Sequence, residues 1–163
     1  MATKKARRSP SSDELRVLLQ RFIRDFGLLA QNETPCGTPL AASHAHALMA
    51  LLDAKRTFSQ KDLAQELGID KSNIARLCRR MELAGHLEQV VSSQDARVRE
   101  LRLTARGKKL ARDVESASRG RFGALLQAIP AADHGKLFTG LELLSQAVRA
   151  LPTEHPNPPR GKR

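Results

Sequence analysis

Apolar side chains recur along this chain at three- and four-residue spacings, interrupted by glycines, prolines and short polar clusters. Leu15, Leu18, Leu19, Phe22, Ile23, Phe26, Leu29 and Ala30 form one such stripe, which predicts an amphipathic first helix capped by Ser12 or Asp13. Two prolines and a glycine in residues 34–39 end it. A second helix is expected from about Leu40 to Asp53, with Leu48, Leu51 and Leu52 on its buried side. A third starts at Ser59, where Asp62 three residues on completes a capping-box pattern. Its Ala64 and Leu67 face inward, Gly68 stops it, and Ile69 plugs the turn. Asp70 caps a fourth helix with Ile74, Leu77 and Met81 as its inner stripe, and Gly85 ends that helix.

Beyond Gly85 the period changes from helical to strand-like. Leu87 to Val91 and Val98 to Leu103 predict two short antiparallel strands, joined by a polar loop over residues 92–97. Thr104 caps a long fifth helix reaching about Ile129, and Pro130 stops it. A last helix from about Ala132 spaces Leu137, Leu141, Leu144, Val148 and Leu151 as a heptad-like seam. Helix, tight turn, helix, two strands around a basic loop, helix is the order of a winged helix-turn-helix, whose second helix enters a DNA major groove. The expected fold class is therefore mainly α with a small β-wing: a winged helix-turn-helix lobe plus an N- and C-terminal helical layer.

The expected organisation is a disordered basic arm (1–12), one domain (13–151) and a disordered basic tail (152–163). Within the domain, 57–110 is the winged helix-turn-helix, and 13–56 and 104–151 supply a dimerisation layer and support for the lobe. The first helix and the terminal seam are not needed to complete the lobe, so their apolar stripes point to a second copy as cover, hence a homodimer. The alternative is that they fold back on their own domain.

Charge sharpens this picture. The net charge is +11. It divides into +4 in residues 1–12, +5 in 57–112 and +2 in 152–163, with the segments between balanced. An excess confined to one folded segment and the two tails predicts a polyanion footprint. There is no Trp or Tyr and only 5 Phe, so stacking platforms for single strands are scarce and duplex DNA is the expected partner. No apolar run suggests a membrane span or a secretory signal. Two cysteines make no disulfide framework, and the expected setting is a reducing cytoplasm. There is no Gly-rich phosphate loop, HExxH or paired nucleophile and base, so neither an enzyme nor a cofactor is expected.

On the fourth helix, Lys71, Ser72, Asn73 and Arg76 lie near its start and away from the inner stripe, where Arg suits guanine and Asn suits adenine. Ser59, Gln60, Arg79, Arg80, Arg99 and Arg102 are the expected phosphate contacts. In the wing, Asp95 is placed to fix the loop and Arg97 to reach a minor groove. Candidate sensors are Cys36, set between Pro35 and Gly37, and His46 or Met49, expected to line a small-molecule pocket. Cys78 reads as a small packed hydrophobe. Cys36, His44 and His46 have poor spacing for zinc, because i and i+2 point to different sides of a helix, and no metal is expected.

The text LAQELGIDKSNIARLCRRMELAGHLEQ, the wing Asp95-x-Arg97 and the text LRLTARGKKL resemble the MarR (multiple antibiotic resistance regulator) family of transcription factors. Helix order extends the resemblance over about 13–151, with specific motifs only between Ser59 and Leu110. The resemblance implies an obligate dimer of winged-helix lobes on a pseudo-palindromic site. It also implies a ligand pocket or reactive cysteine where the dimer layer meets the lobes. The family pattern carries onto Ser72, Asn73 and Arg76 for the major groove and onto Asp95 and Arg97 for the wing. The chain departs from it at His44, His46 and Cys36, so an effector does not carry over. The expected function is a sequence-specific repressor released by a small molecule or thiol modification. The alternative is a constitutive architectural DNA binder.

Overall fold

The structure is a computed structural model that describes residues 10–92 and 98–151. Its elements run α1 (Ser12–Asp25), α2 (Ala42–Asp53), β1 (Phe58–Ser59), α3 (Gln60–Leu67), α4 (Lys71–Leu83), β2 (Leu87–Val91), β3 (Arg99–Leu103), α5 (Ala105–Gln127) and α6 (Ala131–Ala150). The chain divides into two compact units, one reaching Arg121 and the other starting at Phe122.

In the first unit the core is assembled from every element after α1. Leu48 of α2, Leu63 of α3, and Ile74, Leu77, Cys78 and Met81 of α4 are fully buried. They pack with Leu87, Leu101 and Leu103 of the sheet and Ala111 and Val114 of α5. Each buried Leu or Ile contributes about 1.5–3 kcal/mol relative to exposure. The expected α4 stripe is thus buried, with Cys78 added to it. Ala64, Leu67 and Ile69 pack against this core as expected, but Leu63 occupies its centre in α3. In α2, Leu51 and Leu52 are only half-buried, and His44, Ala45, Ala47 and Leu48 make the inner face.

The sheet has three strands, not two, in the order β1-β3-β2. β1 is antiparallel to β3 with Phe58 opposite Leu101 and Ser59 opposite Glu100. β2 pairs β3 from Leu87 opposite Leu103 to Val91 opposite Arg99. The second wing strand begins at Arg99 rather than Val98, and the Ser92 N–H to Val98 carbonyl bond (2.9 Å) carries the same register one pair further towards the wing.

Helix ends follow side-chain chemistry. Ser59 Oγ accepts the Asp62 N–H (3.2 Å), and the Ser59 N–H donates back to Asp62 Oδ2 (2.8 Å). Ser59→Ala should therefore lower stability by about 1 kcal/mol, read as a shift in the urea midpoint. The same reciprocal pair forms at α1 between Ser11 and Glu14, so Ser11 is the cap in place of Ser12 or Asp13. α1 also stops at Asp25, short of the expected stripe, because Gly27 turns the backbone at φ +83°. Thr104 Oγ1 accepts the Gly107 N–H (3.0 Å) and donates to the Gly85 carbonyl (2.7 Å). One hydroxyl thereby caps α5 and ties it to the turn that leaves α4.

Two helices keep apolar surface open. Leu15, Leu18 and Phe22 of α1 are about half exposed or more, and α1 has no buried residue. In the second unit, Phe138, Leu141 and Val148 of α6 and the following Leu151 are each at least half exposed. Among the described residues no helix is long and apolar enough to cross a membrane.

Candidate nucleic-acid interface

Burial of Ile74, Leu77, Cys78 and Met81 fixes the roll of α4 about its axis. The opposite face then presents Lys71, Ser72, Asn73, Arg76, Arg79 and Arg80, all exposed. This gathers the expected base-reading residues on one surface next to two further cations. Asp70 organises its leading edge. The Asp70 Oδ1 atom accepts from the Ser72 N–H (2.9 Å), the Ser72 hydroxyl (2.8 Å) and the Asn73 N–H (2.9 Å). Oδ2 accepts from the Asn73 side-chain amide. Hydrogen bonds from Asn73 and Ser72 hold the Asp70 carboxyl at about 2, below its ordinary range. The Asn73 carboxamide oxygen in turn accepts from the Arg76 guanidinium (2.9 Å).

A second network braces α4 from behind. Gln60 at the start of α3 donates to Gln89 of β2 (2.7 Å), and Gln89 donates to Glu82 near the end of α4 (2.8 Å). Gln60 was expected to meet phosphate, yet its side chain is half-buried and held by this brace. Ser59, likewise, is half-buried and donates its hydroxyl to Asp62 (2.6 Å). Arg56 secures Asp62 from outside (2.9 Å), and this pair, with Ser59, holds the Asp62 carboxyl well below the usual range.

On the wing, Arg99 is exposed, and Arg102 is exposed but paired with Glu100 (2.9 Å). Asp95 and Arg97, expected in the wing, lie outside the described residues.

The sensor candidates separate. Cys36 is half-buried, in a loop tied by Thr34 N–H to the Thr38 carbonyl (2.8 Å). His46 is exposed, whereas Met49 is half-buried against the core. Cys78 is fully buried, which pushes its thiol up to about 11, with Glu82 adding to the effect. His44 turns away from His46 to meet His86, 42 residues on, with His44 Nε2 and His86 Nδ1 3.2 Å apart. Burial lowers His44 to about 4, and His86 and Arg80 act in the same direction. Burial and then Arg106 lower His86. Both shifts favour the neutral ring near pH 7, so that one imidazole N–H donates and the facing ring nitrogen accepts. Among the described residues, no three His, Cys, Asp or Glu side chains gather as a metal site. The His pair and the glutamine brace join residues far apart in sequence, and no local motif announces either.

Residues 37–98 match the model of the MarR family. A Bacillus subtilis (strain 168) protein described as an uncharacterized HTH-type transcriptional regulator, YfiV, is 26% identical over 101 residues, or 62% of this chain. The chain spans 63% of that relative's length. Among solved structures, the PcaV transcriptional regulator from Streptomyces coelicolor superposes with a TM-score of 0.68 at 23% identity, over 84% of this chain and 98% of PcaV. Streptococcus pneumoniae FabT, solved in complex with DNA, gives 0.67 at 17% identity, over 84% of this chain and 94% of FabT. These two show the shared fold. In its winged helix-turn-helix, its match over residues 37–98 and its fold, the chain is similar to regulators of the MarR family.

Proposed function

We propose that this protein is a homodimeric, sequence-specific DNA-binding repressor that reads a pseudo-palindromic operator with α4. The observation that carries the reading is the outward face of α4. Four cations, a hydroxyl and a carboxamide share one exposed surface, set by a fully buried opposite stripe. Arg76 and Asn73 supply the donors and acceptors that distinguish bases, while Arg79 and Arg80 suit flanking phosphates. Arg99 and Arg102 extend the footprint on the wing side. The N-terminal basic arm and the basic tail add sequence-independent attraction.

Exposed apolar stripes on α1 and α6 support the dimer: each is large enough to need cover, and a second copy supplies matching surface. Two copies of α4 then lie about one DNA turn apart, roughly 34 Å. Operator release follows from any effector that binds the DNA-incompetent state more tightly. A small molecule lodged near Met49 or His46 is one route, and modification of Cys36 is the other. Cys36 is the thiol a reagent can reach, because Cys78 is fully buried. Alkylation should release DNA from the wild type and leave Cys36→Ser bound, as read by fluorescence anisotropy. Equal release from both would remove Cys36 as the sensor.

Arg76→Ala tests the docking of α4. It should cost about 1–3 kcal/mol in operator affinity and relax preference at one base position. Normal operator binding by this variant would show that α4 is docked otherwise.

A further inference from the structure

The hydrogen bonds of Asp70 have a consequence for what α4 can read. An ionised carboxylate accepts only, so every hydrogen bond to it consumes a proton of the donor. Ser72 has a single hydroxyl proton, and the 2.8 Å contact gives it to Asp70 Oδ1. What remains on Ser72 Oγ is acceptor capacity. Such an oxygen cannot donate to a phosphate, to guanine O6 or N7, or to thymine O4. It can accept from adenine N6 or cytosine N4, the two amino groups exposed in the major groove. Asn73 is oriented by the same carboxylate but keeps a free amide proton and a lone pair, because only one N–H goes to Asp70 and its oxygen accepts one bond from Arg76 at 2.9 Å. Asp70 therefore sets the orientation of three outward side chains without pointing at a base itself.

We propose that Asp70 is a specificity-determining positioning residue, which makes Ser72 an acceptor-only reader of an amino-bearing base, A or C, on the contacted strand. This rests on the reading of the chain as a sequence-specific DNA binder. Helix capping alone does not require it. A serine at the cap also satisfies the first-turn N–H groups, but it cannot take protons from Ser72 and Asn73 together while bonding the backbone. Asp70 also carries negative charge towards a polyanion, which opposes DNA binding in general. The residue thus trades overall affinity for a fixed donor and acceptor pattern.

The test is selection of duplexes from a random pool by the full-length wild type, Asp70→Ser and Ser72→Ala. Affinity for a scrambled duplex and the thermal midpoint are measured alongside. The wild type should prefer A or C over G or T at one position of each half-site, by about tenfold. Asp70→Ser should lose that preference while holding or gaining affinity for scrambled DNA, which loss of fold would not produce. Ser72→Ala should lose the same preference with Asp70 intact, and it decides the matter if Asp70→Ser does not fold. A wild-type preference for G or T there overturns the inference alone, as does an unchanged profile in Ser72→Ala. A folded Asp70→Ser that keeps the wild-type profile does the same. A wild type with no preference at any position overturns the regulator reading, and this inference with it.

Discussion

Gly107→Ala is expected to destabilise the winged-helix lobe by about 3 kcal/mol or more. Gly107 sits buried in the first turn of α5, against the turn between α4 and β2. A Cβ there would lie 1.9 Å from the His86 carbonyl oxygen and 2.9 Å from its carbon. Both are backbone atoms, so no side-chain rotation relieves the clash. The His86 carbonyl also accepts the Thr104 N–H (3.2 Å), and Gly85 beside it has φ +70° and receives the Thr104 hydroxyl. Displacing His86 therefore disturbs the α5 cap, the start of β2 and the exit of α4 together. DNA affinity should fall with stability. Gly120→Ala, in the same helix with nothing within 4 Å, is the control and should raise stability by up to about 1 kcal/mol. Equilibrium urea unfolding checks both. A Gly107→Ala midpoint matching the wild type would contradict the close approach.

The second large effect is acid sensitivity in a window set by histidine. The folded state lowers His44 to about 4 from an ordinary 6.5, and lowers His86 in the same direction. Below pH 6.5 the unfolded chain takes up protons that these folded rings refuse. Stability is therefore complete above that pH and falls as pH drops towards the folded value. His44 alone should contribute a loss of about 2 kcal/mol by pH 5. Arg80 beside His44 and Arg106 beside His86 oppose any added positive charge there. Asp62 behaves oppositely: its pairing with Arg56 and Ser59 is lost only as pH falls below the ordinary carboxylate value of 3.8, so the two windows separate. Urea unfolding between pH 7 and 5 should show the loss in the wild type. A His44→Leu/His86→Leu variant should flatten it, since replacing both partners leaves no buried polar group unpaired. A variant curve as steep as the wild type would assign the effect elsewhere.

What the sequence made legible is local. The Ser59–Asp62 box, the Asp70 cap, the Gly68 stop and the Ile74–Leu77–Met81 stripe each lie within a few residues, and each is where the pattern placed it. The α4 surface follows from that stripe, so most of the candidate site was readable. The rest depends on tertiary approach. β1 is two residues long and exists only by pairing with Leu101 and Glu100, so no periodicity could reveal it. His44 finds His86 only after folding, and Gly107 is required by a carbonyl 21 positions away that no motif marks. In α1 the apolar spacing continued past Asp25, but a glycine at positive φ outweighed it. The partners of Gln60 and Ser59, both expected phosphate contacts, were not legible because spacing does not show which side chains pair with one another.

The central claim is that two copies of this chain read a specific duplex through α4. It is tested most directly by titrating the purified protein against the best duplex selected from its own genomic fragments and against a scrambled version, at about 150 mM salt. The account predicts a preference of about 10³ or more for the selected duplex, with two protomers bound per site. Equal affinity for the two duplexes, or a single protomer at saturation, would contradict it.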